Sequence, residues 1–114
     1  MPDPLSISDL MPRLAAVGLC PLRLAGRDLL PIVQGGMGVG VSAHRLAGSV
    51  AAMGAVGTIS SVDLRRHHPD LMERTAHLRV GPEAKAAINA ANLEALSREI
   101  RAARTLARAV ACWR

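Results

Sequence analysis

Four glycines fall within residues 35–40 of the run Gln34-Gly-Gly-Met-Gly-Val-Gly40, directly after the β-branched pair Ile32 and Val33. A residue without a Cβ reaches positive φ at low cost and lets a flat or anionic ligand lie against bare peptide amides. Ser42 is expected to cap an alanine-rich amphipathic helix, and Ala55 to Val62 reads as a second buried strand. A glycine turn between a strand and a helix places a ligand at the C-terminal edge of a parallel sheet or barrel. The chemistry this arrangement points to is the cradling of a cofactor.

Other chemistry-bearing residues give competing readings. Gly38-Val-Gly-Val-Ser-Ala43 fits a relaxed dinucleotide fingerprint, with Asp63 placed to hold a ribose. That reading is weakened because the turn already begins at Gly35 and contains Gln34 and Met37. His67, His68 and His77 invite a metal, but zinc or iron needs further ligands in fixed geometry, and no carboxylate pairing supplies them. These histidines are read as part of a solvated loop, and no metal is expected. Cys20 and Cys112 have neither metal-ligand spacing nor a disulfide framework. Cys112, beside Trp113, is read as an incidental thiol. Met11, Met53 and Met72 look like packing residues.

The elements that would position the glycine turn follow from periodicity. Ile7 to Val17 is expected as a short helix capped by Ser6 or Ser8 and ended by Gly18. Leu22 to Leu30, two apolar pieces around Ala25-Gly-Arg-Asp28, reads as a hairpin. Pro31 opens a short strand over Ile32–Gln34, apolar and unalternating as if covered on both faces. A helix over Ala43–Met53 would bury Leu46, Ala47, Val50 and Met53, with Gly54 just past its end. The strand–helix–strand spacing implies parallel strands joined by a right-handed crossover. Asp70 to Arg79 reads as a helical excursion ended at Gly81-Pro82. A long helix then starts at Asn92 with a buried stripe of Leu93, Leu96, Ile100, Ala103, Leu106 and Val110.

Composition narrows the class. The 114 residues are 50% hydrophobic, yet Trp113 is the sole aromatic, so a self-sufficient core of this size is short of large side chains. The net charge of +5 is carried by arginines spread from Arg13 to Arg114, with Lys85 the only lysine. No aromatics interleave with them for base stacking, so no nucleic-acid partner is expected. Arg98, Arg101, Arg104 and Arg108 read as a solvated helix face, with Glu94 one turn before Arg98. No secretory signal is apparent, and the uncharged run Leu46–Val62 is short for a membrane span. A soluble cytoplasmic protein with reduced cysteines is expected.

Pro31-Ile-Val-Gln-Gly-Gly-Met-Gly38, Leu46-Ala-Gly-Ser-Val-Ala-Ala-Met-Gly54 and Val56-Gly-Thr-Ile-Ser60 resemble the opening of the nitronate monooxygenase (2-nitropropane dioxygenase) family. Asn89 to Arg104 resembles that family's second barrel helix. The resemblance implies an α/β fold: the first βαβα portion of a TIM (β/α)8 barrel, preceded by an N-terminal helix and hairpin. It implies FMN as cofactor, alkyl nitronates and O2 as substrates, and oligomer formation as an option. Gly36, Met37 and Gly38 would offer backbone amides and close approach to the flavin, and Ser60 and Ser61 match the next cofactor-facing turn. The family's catalytic histidine and phosphate-binding loops have no counterpart here, so no catalytic residue is assigned. A barrel needs about 250 residues; residues 1–114 are therefore expected to be the N-terminal part of one FMN-binding domain, inactive alone. Flavin-dependent enoyl reductases share the same superfamily and form the alternative. A third reading is a non-catalytic interaction module docking through the Leu93–Val110 stripe.

Overall fold

The computed structural model describes residues 7–111, with side chains through Ala109. The proposed cap Ser6, the Val110 side chain of the apolar stripe, and Cys112 and Trp113 lie outside these limits. Helix α1 spans Ile7–Ala16 and accommodates Pro12 in its interior. The hairpin forms as read: β1 (Leu22–Leu24) pairs antiparallel with β2 (Arg27–Leu29). Ala25 and Gly26 both have positive φ, at 49° and 75°, the backbone that a two-residue turn between right-twisted strands needs.

The parallel pair is shorter than its sequence suggested. Val33 and Val56 form an isolated parallel bridge. Around it, Leu30 N–H donates to Gly54 O, Val56 N–H to Ile32 O, and Gln34 N–H to Val56 O, at 2.8, 3.0 and 2.9 Å. The two segments thus run parallel, as the crossover argument required. The expectation that both faces are covered is overturned: Ile32 is 56% and Val33 62% exposed. Each segment has one hydrogen-bonded neighbour, and a pair of strands has too little width to hold layers on both faces.

Helix α2 (His44–Ala52) connects them. Its N-cap is Ala43, with no side-chain cap bond; Ser42 does not cap it, because its hydroxyl turns into the glycine loop. Met53 lies at the C-terminal end and is 61% exposed rather than packed. Gly54 occupies the expected left-handed position, φ +88°. Beyond Asp63 come a 3-10 turn (Leu64–His67), α3 (Pro69–Thr75) and α4 (Pro82–Ala111). His67 ends the 3-10 turn, His68 is extended and α3 restarts at Pro69, so the backbone breaks here between two short helical pieces instead of forming a longer solvated loop.

Helix α4 begins ten residues before the expected cap. Pro82 in the first turn needs no N–H partner, and the alanines that follow have the highest helix propensity, so nothing delays nucleation until Asn92. The buried stripe also differs from the expected one: Ala84, Ala91, Ala95 and Glu99 are buried, while Leu93 is 68% exposed. Leu64, Leu71, Ala91 and Ala95 form the core, with Ile59 and Leu96 packed against it. Small side chains let α2 and α4 approach closely, to the point that a Cβ on Gly48 would lie 3.0 Å from Ala103 O. On the outer face the Arg98 guanidinium grips Asp70 with two bonds, of 2.9 and 2.8 Å, and also reaches Glu94. Hydrogen bonding to that guanidinium holds the Asp70 carboxyl down to about 2. Among the described residues, no helix is long and apolar enough to cross a membrane.

Candidate functional site

The glycine loop is organised by two polar side chains, Gln34 and Ser42. Gln34 ends the first parallel segment, where its amide can donate and accept at once. Its Oε1 accepts the Thr58 N–H at 3.0 Å, and its Nε2 donates to Ser42 Oγ at 2.9 Å. The Nε2 also contacts Gly35 O. Ser42 is fully buried. Its hydroxyl accepts the Met37 N–H at 2.8 Å and donates to Gly35 O at 3.2 Å, so one donor and two lone pairs are all in use. The Ser42 backbone completes the closure, donating to Met37 O and accepting from Ser60 N–H, both at 2.9 Å. One buried serine thus ties both sides of the loop to the end of the second parallel segment.

Three of the five residues read as cofactor-binding come together. A Cβ on Gly36 would lie 3.7 Å from Ser60 Cβ, and one on Gly38 would lie 3.4 Å from Ser60 Oγ. Both glycines therefore pass close over Ser60 at the C-terminal ends of the parallel pair. Among the described residues the Gly36 and Gly38 N–H groups have no hydrogen-bond partner. Met37 differs, because its N–H is engaged by Ser42 and only its half-exposed side chain faces outward. Ser61 lies in a separate cleft with Asn89, Asn92 and Leu93 of α4. Successive residues of an extended segment face opposite sides, which is why Ser60 and Ser61 part company.

Behind the loop lies a cluster that motif reasoning overlooked. Glu99 on α4 is only 5% exposed. Its Oε2 accepts the His44 backbone N–H at 2.8 Å and meets His44 Nδ1 at 2.6 Å. Its Oε1 lies 3.1 Å from His68 Nε2, close enough for charge pairing although the angle is poor for a hydrogen bond. Burial by itself pushes the Glu99 carboxyl up. Hydrogen bonds from the His44 amide and ring, with charge attraction from His44 and His68, outweigh that and leave it below its ordinary value. The sequence signal was an acidic residue at the observed stripe's spacing, Ala91, Ala95, Glu99, where a carboxylate on a buried face demands partners.

A depressed carboxyl has a definite consequence. Glu99 binds fewer protons folded than unfolded at moderately acidic pH, so its contribution is fully present above the ordinary value of 4.5 and is lost as pH falls through the lower folded value. Urea unfolding from about pH 6 to about pH 3 is expected to show an acid-side fall in stability that is shallower in Glu99→Gln.

The competing sites fare differently. Asp63, the candidate ribose ligand, pairs with Arg65 Nε at 3.0 Å and with Arg66 Nε. The bond from Arg66 opposes desolvation and, with the charge of Arg65, lowers its carboxyl. Both its oxygens are therefore committed within the chain. His68 is turned inward toward Glu99, His67 approaches Val39 O at 3.2 Å, and His77 is exposed. Among the described residues no group of three or more His, Cys, Asp or Glu side chains is placed to hold a metal ion. Cys20 is a free, exposed thiol. The Leu96, Ile100 and Ala103 part of the apolar stripe lies along a groove shared with Ala47 and Ala51 of α2. No protein-family model, curated protein or solved structure matches the chain.

Proposed function

We propose that residues 31–62 form one wall of an FMN site in an oxidoreductase of the nitronate monooxygenase type, acting on alkyl nitronates and O2. One observation carries the reading: two glycine amides without partners, Gly36 and Gly38, lie over Ser60 at the carboxyl ends of two parallel segments. A planar ring with acceptor atoms at its edge fits such a surface, since the missing Cβ atoms let the loop lie close on Ser60 and Val62 and its free amides can donate to the ring's edge. The exposed Met37 side chain adds a polarizable apolar contact. Bound FMN would supply the electron transfer between nitronate and O2. The chain's own part is to bind and orient: Ser42 holds the loop's curvature and Gln34 holds it to the second segment. The βαβα barrel front, with its exposed Ile32 and Val33, accords with strands that need further neighbours. The cytoplasmic setting belongs to this proposal as well.

The 114 residues alone are expected to bind FMN weakly and to turn over no nitronate. Titration followed by flavin fluorescence is expected to show weak quenching that Gly36→Val abolishes, because the added side chain would press on Thr58 and Ser60 and displace the loop's amides. Equal responses from both proteins would remove the flavin site. A yellow, active preparation would overturn the one-wall reading. Turnover of an enoyl thioester with reduced nicotinamide, by the chain in its complete enzyme, would move the assignment to the enoyl reductases.

A further inference from the structure

The glycine loop is held from behind by two arms, and both lead to a single carboxylate. The first arm is His44, which follows the loop's anchor Ser42 by two residues and gives Glu99 both its backbone N–H and its ring. The second is the His67-His68 pair. His68 faces Glu99 Oε1, while His67 reaches Val39 O within the loop and lies so close to Gly40 that a Cβ there would be 1.8 Å from its Nε2. Arg45 and His67 line the same cleft as His44 and Glu99. From its position on α4, Glu99 touches no residue of the 35–42 loop through a hydrogen bond or ion pair. It nevertheless fixes the start of α2 and faces the turn that leans on the loop.

We infer that Glu99 is a positioning residue that sets the shape of the glycine loop through His44 and the His67-His68 turn. Its relevance to a cofactor rests on the flavin reading above; its effect on the loop does not. A buried carboxylate that holds a hydrogen-bonded partner, His44, and a charge partner, His68, on two different segments acts as a cross-brace, because movement of either costs it an interaction that water cannot readily replace. The loop itself has few buried apolar contacts, with Met37, Val39 and Val41 all exposed. Polar bracing is therefore its main restraint, and removal should open the loop locally before the α4 core unfolds.

Amide exchange of the full chain, read by NMR, tests this. In Glu99→Gln the protection of the Ser42 and Ser60 amides is expected to fall about tenfold or more, while Ala91 and Ala95 in α4 change by less than about threefold. The His44 ring nitrogens should shift in the 15N spectrum as Nδ1 loses its anionic partner, a change that generalised loosening would not give. Should Glu99→Gln fail to fold, His68→Gln, which removes one arm, is expected to give a smaller loss confined to the loop amides. Unchanged Ser42 and Ser60 protection in a folded variant, or an equal loss throughout α4, would overturn the inference. Adding FMN separates the two ideas. A loop that responds to Glu99→Gln but shows no FMN-induced shifts at Gly36 and Gly38 upholds the brace and removes the flavin reading. Shifts at those glycines in a loop indifferent to the substitution do the reverse.

Discussion

Gly57→Ala is expected to cost about 3 kcal/mol or more, since overpacking against a rigid neighbour typically costs about 1–3 kcal/mol and backbone cannot yield like a side chain. A Cβ at this position would lie 2.0 Å from Ala47 O and 2.7 Å from Ala47 C. The obstacle is the backbone of Ala47, a buried residue of α2, so relief requires the helix to separate from the second parallel segment. Gly35→Ala is the matched control: a Cβ there meets nothing within 4 Å. The two substitutions have the same chemistry and lie in the same βαβ unit. Urea denaturation should show a large drop in midpoint for the first and a small change for the second. Equal midpoints would mean that α2 does not sit where it is described. Gly40→Ala should fall between them, because the atom in the way is the end of the His67 side chain, which can swing aside, while φ of +69° adds strain.

Ser42→Ala is the second large effect. The hydroxyl is fully buried and makes three hydrogen bonds, so its removal leaves the Met37 N–H, the Gln34 amide and Gly35 O short of a partner. Each buried group so stranded costs about 1–3 kcal/mol, reduced where water can reach it. Gly35 and Met37 are exposed enough for such relief, which brings the expected total to about 2–4 kcal/mol. The substitution should also weaken FMN binding more than Ser49→Ala, an exposed serine on α2. Stability and flavin titrations on the two variants decide it; a Ser42→Ala protein as stable as the parent would remove the loop's organising centre.

The hairpin with Gly26 in its turn, Gly54 past the end of α2 and the parallel direction of residues 30–34 and 54–56 were all readable from local signals, because turn residues and strand–helix spacing act over short range. The start of α4 was not. Asn92 is a good cap by type, but its side chain instead accepts the Arg65 N–H at 3.0 Å, a tertiary bond with no local signature. The inward face of α4 was not legible either: Leu93 lies outward, and Glu99 lies inward against His44 and His68, partners on other elements. Ser42 illustrates the same limit: serine before a helix suggests a cap, yet three competing partners in the loop claim it. Of the site, the glycines and Ser60 were legible because missing side chains advertise close approach. Gln34, Ser42 and Glu99 were not, since their roles depend on groups up to 55 positions away in the chain.

Helix α4 has a consequence for how the molecule moves through solution. Its 30 residues extend about 45 Å at 1.5 Å per residue, and the principal dimensions are 56 × 27 × 24 Å. The radius of gyration of 17.8 Å exceeds the ~13 Å of a compact chain of this length. A rod-like body experiences more friction than a sphere of equal mass, so a single copy should leave a sizing column early and sediment slowly. Early elution alone would therefore mimic a dimer, and only a mass measured independently of drag, by light scattering or sedimentation equilibrium, can count the copies.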